Sequence, residues 1–286
     1  MIMSVKHVTK SDGKKQSFSE LKLKRSLHRA GVPKDVASEV MAQINAKNLG
    51  QAPKTSSIHK HVYKNLKKKK GVFAAKYNLK RALSDLGPSG YPFEQFVGRL
   101  LVAKGYKATT NRIIRGKCVS HEVDVLGQKD NKHFIFECKF HNRSGYKSDV
   151  QTVLYMKARY DDIRLRWEQV EKAKASKEPK HLHHVWIVTN TSFTSEARRY
   201  GQCAGVGLMS WRAPVGHSLA ELIEETGLHP ITALTSLTKK QKQYVVSHDL
   251  VLCREAREKR QVFIRAGVRG AKLDRVLREA KEICNQ

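Results

Sequence analysis

The chain has 286 residues, 40% of them hydrophobic, enough to bury one large core or two to three small ones and too apolar for a disordered tail. Lys and Arg number 55 against 26 Asp and Glu, and the resulting +29 points to a polyanionic partner, nucleic acid ahead of an anionic membrane surface. No apolar run approaches the roughly 18 residues of a membrane span, and Met1-Ile2-Met3-Ser4-Val5-Lys6 lacks a leader's apolar core, so neither a membrane nor a secretory destination is expected. Five scattered cysteines without a Cys-x-x-Cys pair exclude a disulfide framework and a zinc ribbon, and favour reduced thiols in the cytoplasm.

In chain order, Val5 to Lys10 reads as a strand, Ser11-Asp12-Gly13-Lys14 as a hairpin turn and Ser17-Phe18 as the return. Ser19 then opens a helix with Leu21, Leu23, Leu27 and Ala30 on its apolar side, stopped by Gly31 and Pro33. Two more helices fit 36–46 and 57–68. Leu86-Gly87-Pro88-Ser89-Gly90-Tyr91-Pro92 concentrates turn formers and marks a domain boundary, with a second break at Ala213-Pro214-Val215-Gly216. Between them, a helix capped by Ser89 carries Phe93, Phe96, Val97, Leu100 and Leu101 on one face. Strands follow at 106–114, 118–126 and 133–140, then a long helix from Ser148, a strand at 185–189, a helix at 195–203 and a strand at 206–211. That alternation predicts an α/β sheet flanked by helices.

The chemistry concentrates in Glu122-Val123-Asp124-Val125 and Phe136-Glu137-Cys138-Lys139. Side chains alternate along a strand, so Glu137 and Lys139 share a face and Cys138 points away. Two adjacent strands can bring Asp124 beside Glu137, and two acids among hydrophobic neighbours call for a cation, of which Mg²⁺ or Mn²⁺ suits oxygen ligands. Such an ion with a neighbouring lysine supplies the parts needed to hydrolyse a phosphodiester. Glu122 is a spare ligand or a rim charge. Glu94, in a first helical turn, is either an acid of the site or a partner of the helix dipole. Gln151, three residues after Ser148, fits a capping box as well as a site contact. His121, His181, His183 and His184 read as surface histidines rather than zinc ligands.

Asp124 followed by Glu137-x-Lys139 on the next strand, behind the glutamate helix Tyr91-Pro92-Phe93-Glu94-Gln95-Phe96, resembles the PD-(D/E)xK nuclease fold in its Mrr-like restriction-endonuclease branch. The resemblance spans about residues 88–213. It implies Asp124, Glu137 and the Cys138 carbonyl as metal ligands, Lys139 as the catalytic lysine, Glu94 as an accessory acid and Gln151 as a further contact. Val123 stands where the family often has proline.

A second resemblance lies in front. The stretch from Val8 to Lys22, then Thr55-Ser56-Ser57-Ile58-His59 and Ala74-Ala75-Lys76-Tyr77-Asn78-Leu79-Lys80-Arg81, is similar in order to the ATP-cone, a regulatory nucleotide-binding module. It implies ATP or dATP as effector, with Lys10 and Lys22 on phosphates, Thr55 near them, and Val8 and Gln16 bordering the base. Gln16 departs from an acidic residue there, which leaves base selectivity open. Lys67-Lys68-Lys69-Lys70 fits nucleic-acid backbone contacts, a role that can coexist with the favoured nucleotide site.

The expected organisation is a mainly helical ATP-cone-like domain with a small hairpin (1–86), a restriction-endonuclease-like mixed sheet flanked by helices (88–213) and a helical extension (217–286) packing on the nuclease domain. The expected activity is metal-dependent cleavage of DNA under nucleotide control. The rival is a nucleotide-responsive DNA-binding regulator with an inert nuclease fold. A homo-oligomer is compatible with both.

Overall fold

The computed structural model describes residues 5–10, 13–46, 52–143, 145–173 and 181–284. Ser11 and Asp12 of the expected turn lie outside these, as do the side chains of His181 and His183. The chain divides into two units, Met1–Leu83 with His229–Gln286, and Ser84–Leu228.

In the first unit, β1 (His7–Thr9) and β2 (Lys15–Ser17) pair antiparallel with Val8 opposite Gln16. Gly13, at φ +81°, supplies the left-handed turn residue that the hairpin requires. Helix α1 (Glu20–Arg29) is capped by Ser19, whose hydroxyl accepts from the Lys22 N–H. It buries Leu23 and Leu27 against α2 (Lys34–Ala46) and α3 (Thr55–Lys69), whereas Leu21, expected on the apolar side, is exposed. The helices α4 (Gly71–Tyr77) and α5 (Leu79–Ser84) follow.

The C-terminal helices α10 (Lys239–Ser247), α11 (Arg260–Arg265) and α12 (Gly270–Cys284) belong to this unit. The expected extension 217–286 is thus divided, with 217–228 in the second unit and the remainder in the first. Leu273, Val276, Ala280 and Ile283 give α12 a buried stripe, and α12 packs on α4. Polar contacts reinforce it: the Thr232 hydroxyl donates to the Ala82 carbonyl at 2.5 Å, and Lys67 Nζ to the Thr235 carbonyl at 2.9 Å. The buried Glu279 carboxylate accepts from the Thr235 and Ser236 N–H groups.

The second unit is built on β3 (Lys107–Arg115), β4 (Ser120–Lys129), β5 (Lys132–Lys139), β7 (His181–Thr189) and β9 (Gly207–Met209), in that spatial order. The hairpin strands β3, β4 and β5 are antiparallel, and β5, β7 and β9 run parallel. The crossover from β5 to β7 is α7 (Val150–Ala173), as a parallel connection requires. Before it, β6 (Lys147–Ser148) pairs with β8 (Ser192–Phe193) in a small second sheet. Helices α6 (Tyr91–Ala103), α8 (Ser195–Cys203) and α9 (Leu219–Thr226) complete the unit. All five apolar residues expected on one face of α6 are buried. The core beneath α7 joins Val123 and Ile135 to Val153, Met156, Ile163, Val185 and Ile187.

Two local expectations are corrected. Gly90 rather than Ser89 occupies the cap position of α6. At α7 the carboxylate of Asp149 accepts from the Thr152 N–H at 3.1 Å, while Ser148 is buried in β6, so the Ser148–Gln151 capping box is replaced. An acidic side chain one residue later satisfies an orphan N–H of the first turn in its place.

Gly207 is fixed by close approach, because a methyl group there would sit 2.4 Å from the Trp186 ring. Gly207→Ala is expected to cost about 1–3 kcal/mol through overpacking at β9; a urea unfolding curve superimposable on wild type would refute this.

Candidate active site

The antiparallel register of β4 and β5 pairs Val125 with Phe136. One step on, Asp124 and Glu137 stand across from each other on neighbouring strands, where cross-strand side chains are closest. Their strands occupy the interior of the sheet, and Glu137 is only 3% exposed. The Cys138 N–H donates to Asp124 Oδ2 at 2.6 Å, which pins the aspartate against β5. Cys138 itself turns its thiol into the opposite, buried face. Lys139 returns to the acidic face, with Nζ donating to Glu137 Oε1 at 2.5 Å.

The other Glu137 oxygen receives Arg159 Nη1 at 3.0 Å. Arg159 carries no motif in the sequence; its signal is only its place about two turns beyond Gln151 in the long helix. It also donates from Nη2 to the Glu122 carbonyl and lies over the Tyr155 ring at 5.4 Å. Glu122 itself is exposed at the rim.

Glu94 reaches this corner because α6 is docked on β3. Gln95 Nε2 donates to Thr110 Oγ1 at 2.8 Å, and the bare Gly98 lets the helix sit against the Thr110 methyl. Phe93 packs on Phe140, at the end of β5, with ring centroids 5.6 Å apart. Burial raises the Glu94 pKa to about 7, with added repulsion from Asp124, Glu122 and Glu137. Burial likewise raises Asp124 to about 6, and the Glu137 charge adds to it. Gln151 is exposed on the first turn of α7, and among the described residues no hydrogen bond joins it to these acids.

The strand ends behind the corner are locked by buried polar groups. Thr189 Oγ1 donates to the Lys139 carbonyl at 2.7 Å, and Asn190 both accepts from the His141 N–H and donates to its carbonyl, each at 2.9 Å. The His141 ring contacts Ser148 Oγ at 2.9 Å, and burial together with the Lys139 charge lowers its pKa. None of these was legible as a motif. His121, expected at the surface, is instead mostly buried and bonded to Asp162 at 2.7 Å. Asp162 also accepts from the Cys118 and Val119 N–H groups, and so ties the β3–β4 hairpin to α7.

Four acids (Glu94, Glu122, Asp124, Glu137) thus face two cations (Lys139, Arg159), an excess of negative charge that fits a divalent ion. Among the described residues no three His, Cys, Asp or Glu side chains converge as a complete cage. Magnesium needs none, since it takes one or two carboxylates and keeps several waters.

In the first unit, the Thr55 hydroxyl donates to the Thr9 carbonyl at 3.0 Å, and Thr9 bridges Lys54, so the start of α3 meets the β1 strand. Val8 is buried, whereas Lys10, Gln16, Lys22 and Thr55 are exposed near these elements.

Comparison with known proteins agrees with this architecture. Residues 6–86 match the ATP cone domain, 87–223 the restriction endonuclease family of Mrr type, and 229–284 the AF1548-like C-terminal family. An uncharacterized protein of Archaeoglobus fulgidus is 32% identical over 188 residues, covering 65% of this chain and 99% of its own length. The crystal structure of a protein of unknown function, AF1548, is 31% identical with a TM-score of 0.54, covering 68% of this chain and 98% of that one. The second unit therefore holds a restriction-endonuclease domain of mixed α/β fold, preceded in the chain by an ATP cone. The chain belongs to the AF1548-like family. Among the described residues no helix is long and apolar enough to cross a membrane.

Both raised carboxyls bind protons more readily folded than unfolded, so their ionisation costs stability, a loss that sets in above the ordinary carboxylate range and is complete past about pH 6–7. Asp124→Asn keeps an acceptor for the Cys138 N–H and removes the charge. It is expected to raise the metal-free melting temperature by about 2–4 °C near pH 8 and to flatten its fall with pH; a variant melting below wild type near pH 8 would count against the crowding of charge.

Proposed function

We propose that the chain is a divalent-metal-dependent deoxyribonuclease controlled by ATP or dATP bound at its N-terminal cone. The observation carrying this reading is the cross-strand pair Asp124 and Glu137, set in a corner where acids outnumber cations, with Lys139 on the same face. The restriction-endonuclease match and the overall +29 support DNA as the polyanion held around it. Asp124, Glu137 and the Cys138 carbonyl would hold Mg²⁺ or Mn²⁺, whose chemistry when bound is to polarise a phosphoryl oxygen and acidify a water.

The chain's own groups do the remaining work. Lys139 places an ammonium where charge develops on the phosphoryl oxygens and orients the attacking water. Arg159 holds the second Glu137 oxygen, fixing the plane of that carboxylate. Glu94 adds a carboxyl that exchanges its proton near neutrality. Gln151, at the mouth of α7, is assigned to contact the substrate rather than the reacting atoms. In the cone, Lys10 and Lys22 neutralise phosphates as compact mobile charges, Thr55 hydrogen-bonds beside them, and Val8 and Gln16 flank the base.

Nicking of supercoiled plasmid in Mg²⁺ or Mn²⁺ is the test. Asp124→Ala and Lys139→Ala are each expected to lose at least about 100-fold in rate, and equal nicking by wild type and both variants would end the hydrolytic reading. Salt-sensitive DNA binding without cleavage under any divalent ion would favour the regulator with an inert nuclease fold. For the cone, Lys10→Ala and Lys22→Ala should each weaken ATP binding in calorimetry by about tenfold, as loss of a charge-assisted phosphate contact implies; undiminished affinity would remove these lysines from the site.

A further inference from the structure

The surface of α12 carries a charge pattern that its packing does not use. Arg275, Arg278 and Lys281 recur at three-residue intervals, neighbours on a helix face separated by about 4.5 Å of rise. All three are exposed, and among the described residues none is paired with an acid. Two cavities share Arg278. One, of about 540 Å³, is also lined by Arg254, Arg257 and Lys281; the other, of about 460 Å³, by Lys67 and Arg275.

Six cations therefore border two adjoining clefts. Of the acids there, Glu279 is buried and spent on the Thr235 and Ser236 N–H groups and the Ser236 hydroxyl, which leaves only Asp274 and Glu282 exposed. One small anion would engage one or two of these groups. A run of phosphates spans the whole row, and the arginine forks match phosphate oxygens in pairs.

We propose that this face of α12, with Lys67, Arg254 and Arg257, is a second nucleic-acid site that grips the phosphodiester backbone without hydrolysing it. It rests on the preceding reading only in taking nucleic acid as the partner, because Asp124 and Glu137 belong to the other unit. Its function would be to anchor DNA by counterion release, independent of sequence.

The experiment is fluorescence anisotropy of a labelled random-sequence duplex with the full chain in EDTA across a salt series. Arg254→Ala/Arg278→Ala/Lys281→Ala is expected to bind roughly tenfold or more weakly at about 0.1 M salt and to lower the log K against log salt slope by about 2–3. Arg278→Lys, which keeps the charge, should retain most of the slope. An unchanged slope in a triple variant that melts like wild type overturns the site. Loss of ATP or inorganic phosphate binding with duplex binding intact overturns the polyanion in favour of a small-anion pocket. If the triple variant does not fold, Arg278→Glu alone must weaken duplex binding, and its failure to do so overturns the site equally. Because EDTA removes the divalent ions, an inactive nuclease leaves these outcomes unchanged, and an absent anchor leaves plasmid nicking to be judged separately.

Discussion

Crowding of negative charge in a dry corner of a strongly cationic protein is the constraint around which the second unit is arranged. Asp124 and Glu137 cannot both be ionised cheaply on neighbouring interior strands, and burial with their mutual repulsion pushes Asp124 up to about 6. Glu94, brought in by α6, makes the problem worse and is itself raised to about 7. Lys139 and Arg159 take one Glu137 oxygen each, which settles that carboxylate while leaving Asp124 with a single backbone donor. Such an arrangement is costly for a scaffold, and on the function proposed above a bound hard cation would offset that cost.

The frame around the corner is cross-bonded. Thr189, Asn190 and His141 join the ends of β5 and β7 through the backbone, and the Lys139 carbonyl is held by the Thr189 hydroxyl. Gln95 and Gly98 fix α6 on β3, and Asp162 ties the β3–β4 hairpin to α7. Asn111, at φ +51°, interrupts β3 between the pairs Thr110–Val125 and Arg112–Val123, on the strand next to Asp124. A non-glycine residue in that region is sparsely populated and persists only where its surroundings hold it.

Much of this was legible along the chain because strands and helices advertise themselves by period. Alternation in 118–126 and 133–140 located β4 and β5 to within a few residues, and put Glu137 and Lys139 on one face with Cys138 on the other. Local capping was less legible, since Asp149 and Ser148 compete for one role and only the β6 pairing removed Ser148 from it. The C-terminal helices illustrate the same limit: their apolar stripes announced that they would pack, not that α4 would be the partner.

Asp124, Glu137, Lys139 and the hairpin around Gly13 followed from the order of residues alone, because each depends on neighbours one to a few positions away or on two adjacent strands. Arg159, the Thr189–Asn190–His141 lock, the Asp162 tether and the shared clefts around Arg278 were decided only in three dimensions. They join groups 22 to 50 residues apart, and in the second cleft Lys67 meets α12 across about 200 residues. Contacts of that span leave no periodic trace in a sequence, since which side chain completes a pair is fixed by how packed elements happen to cross.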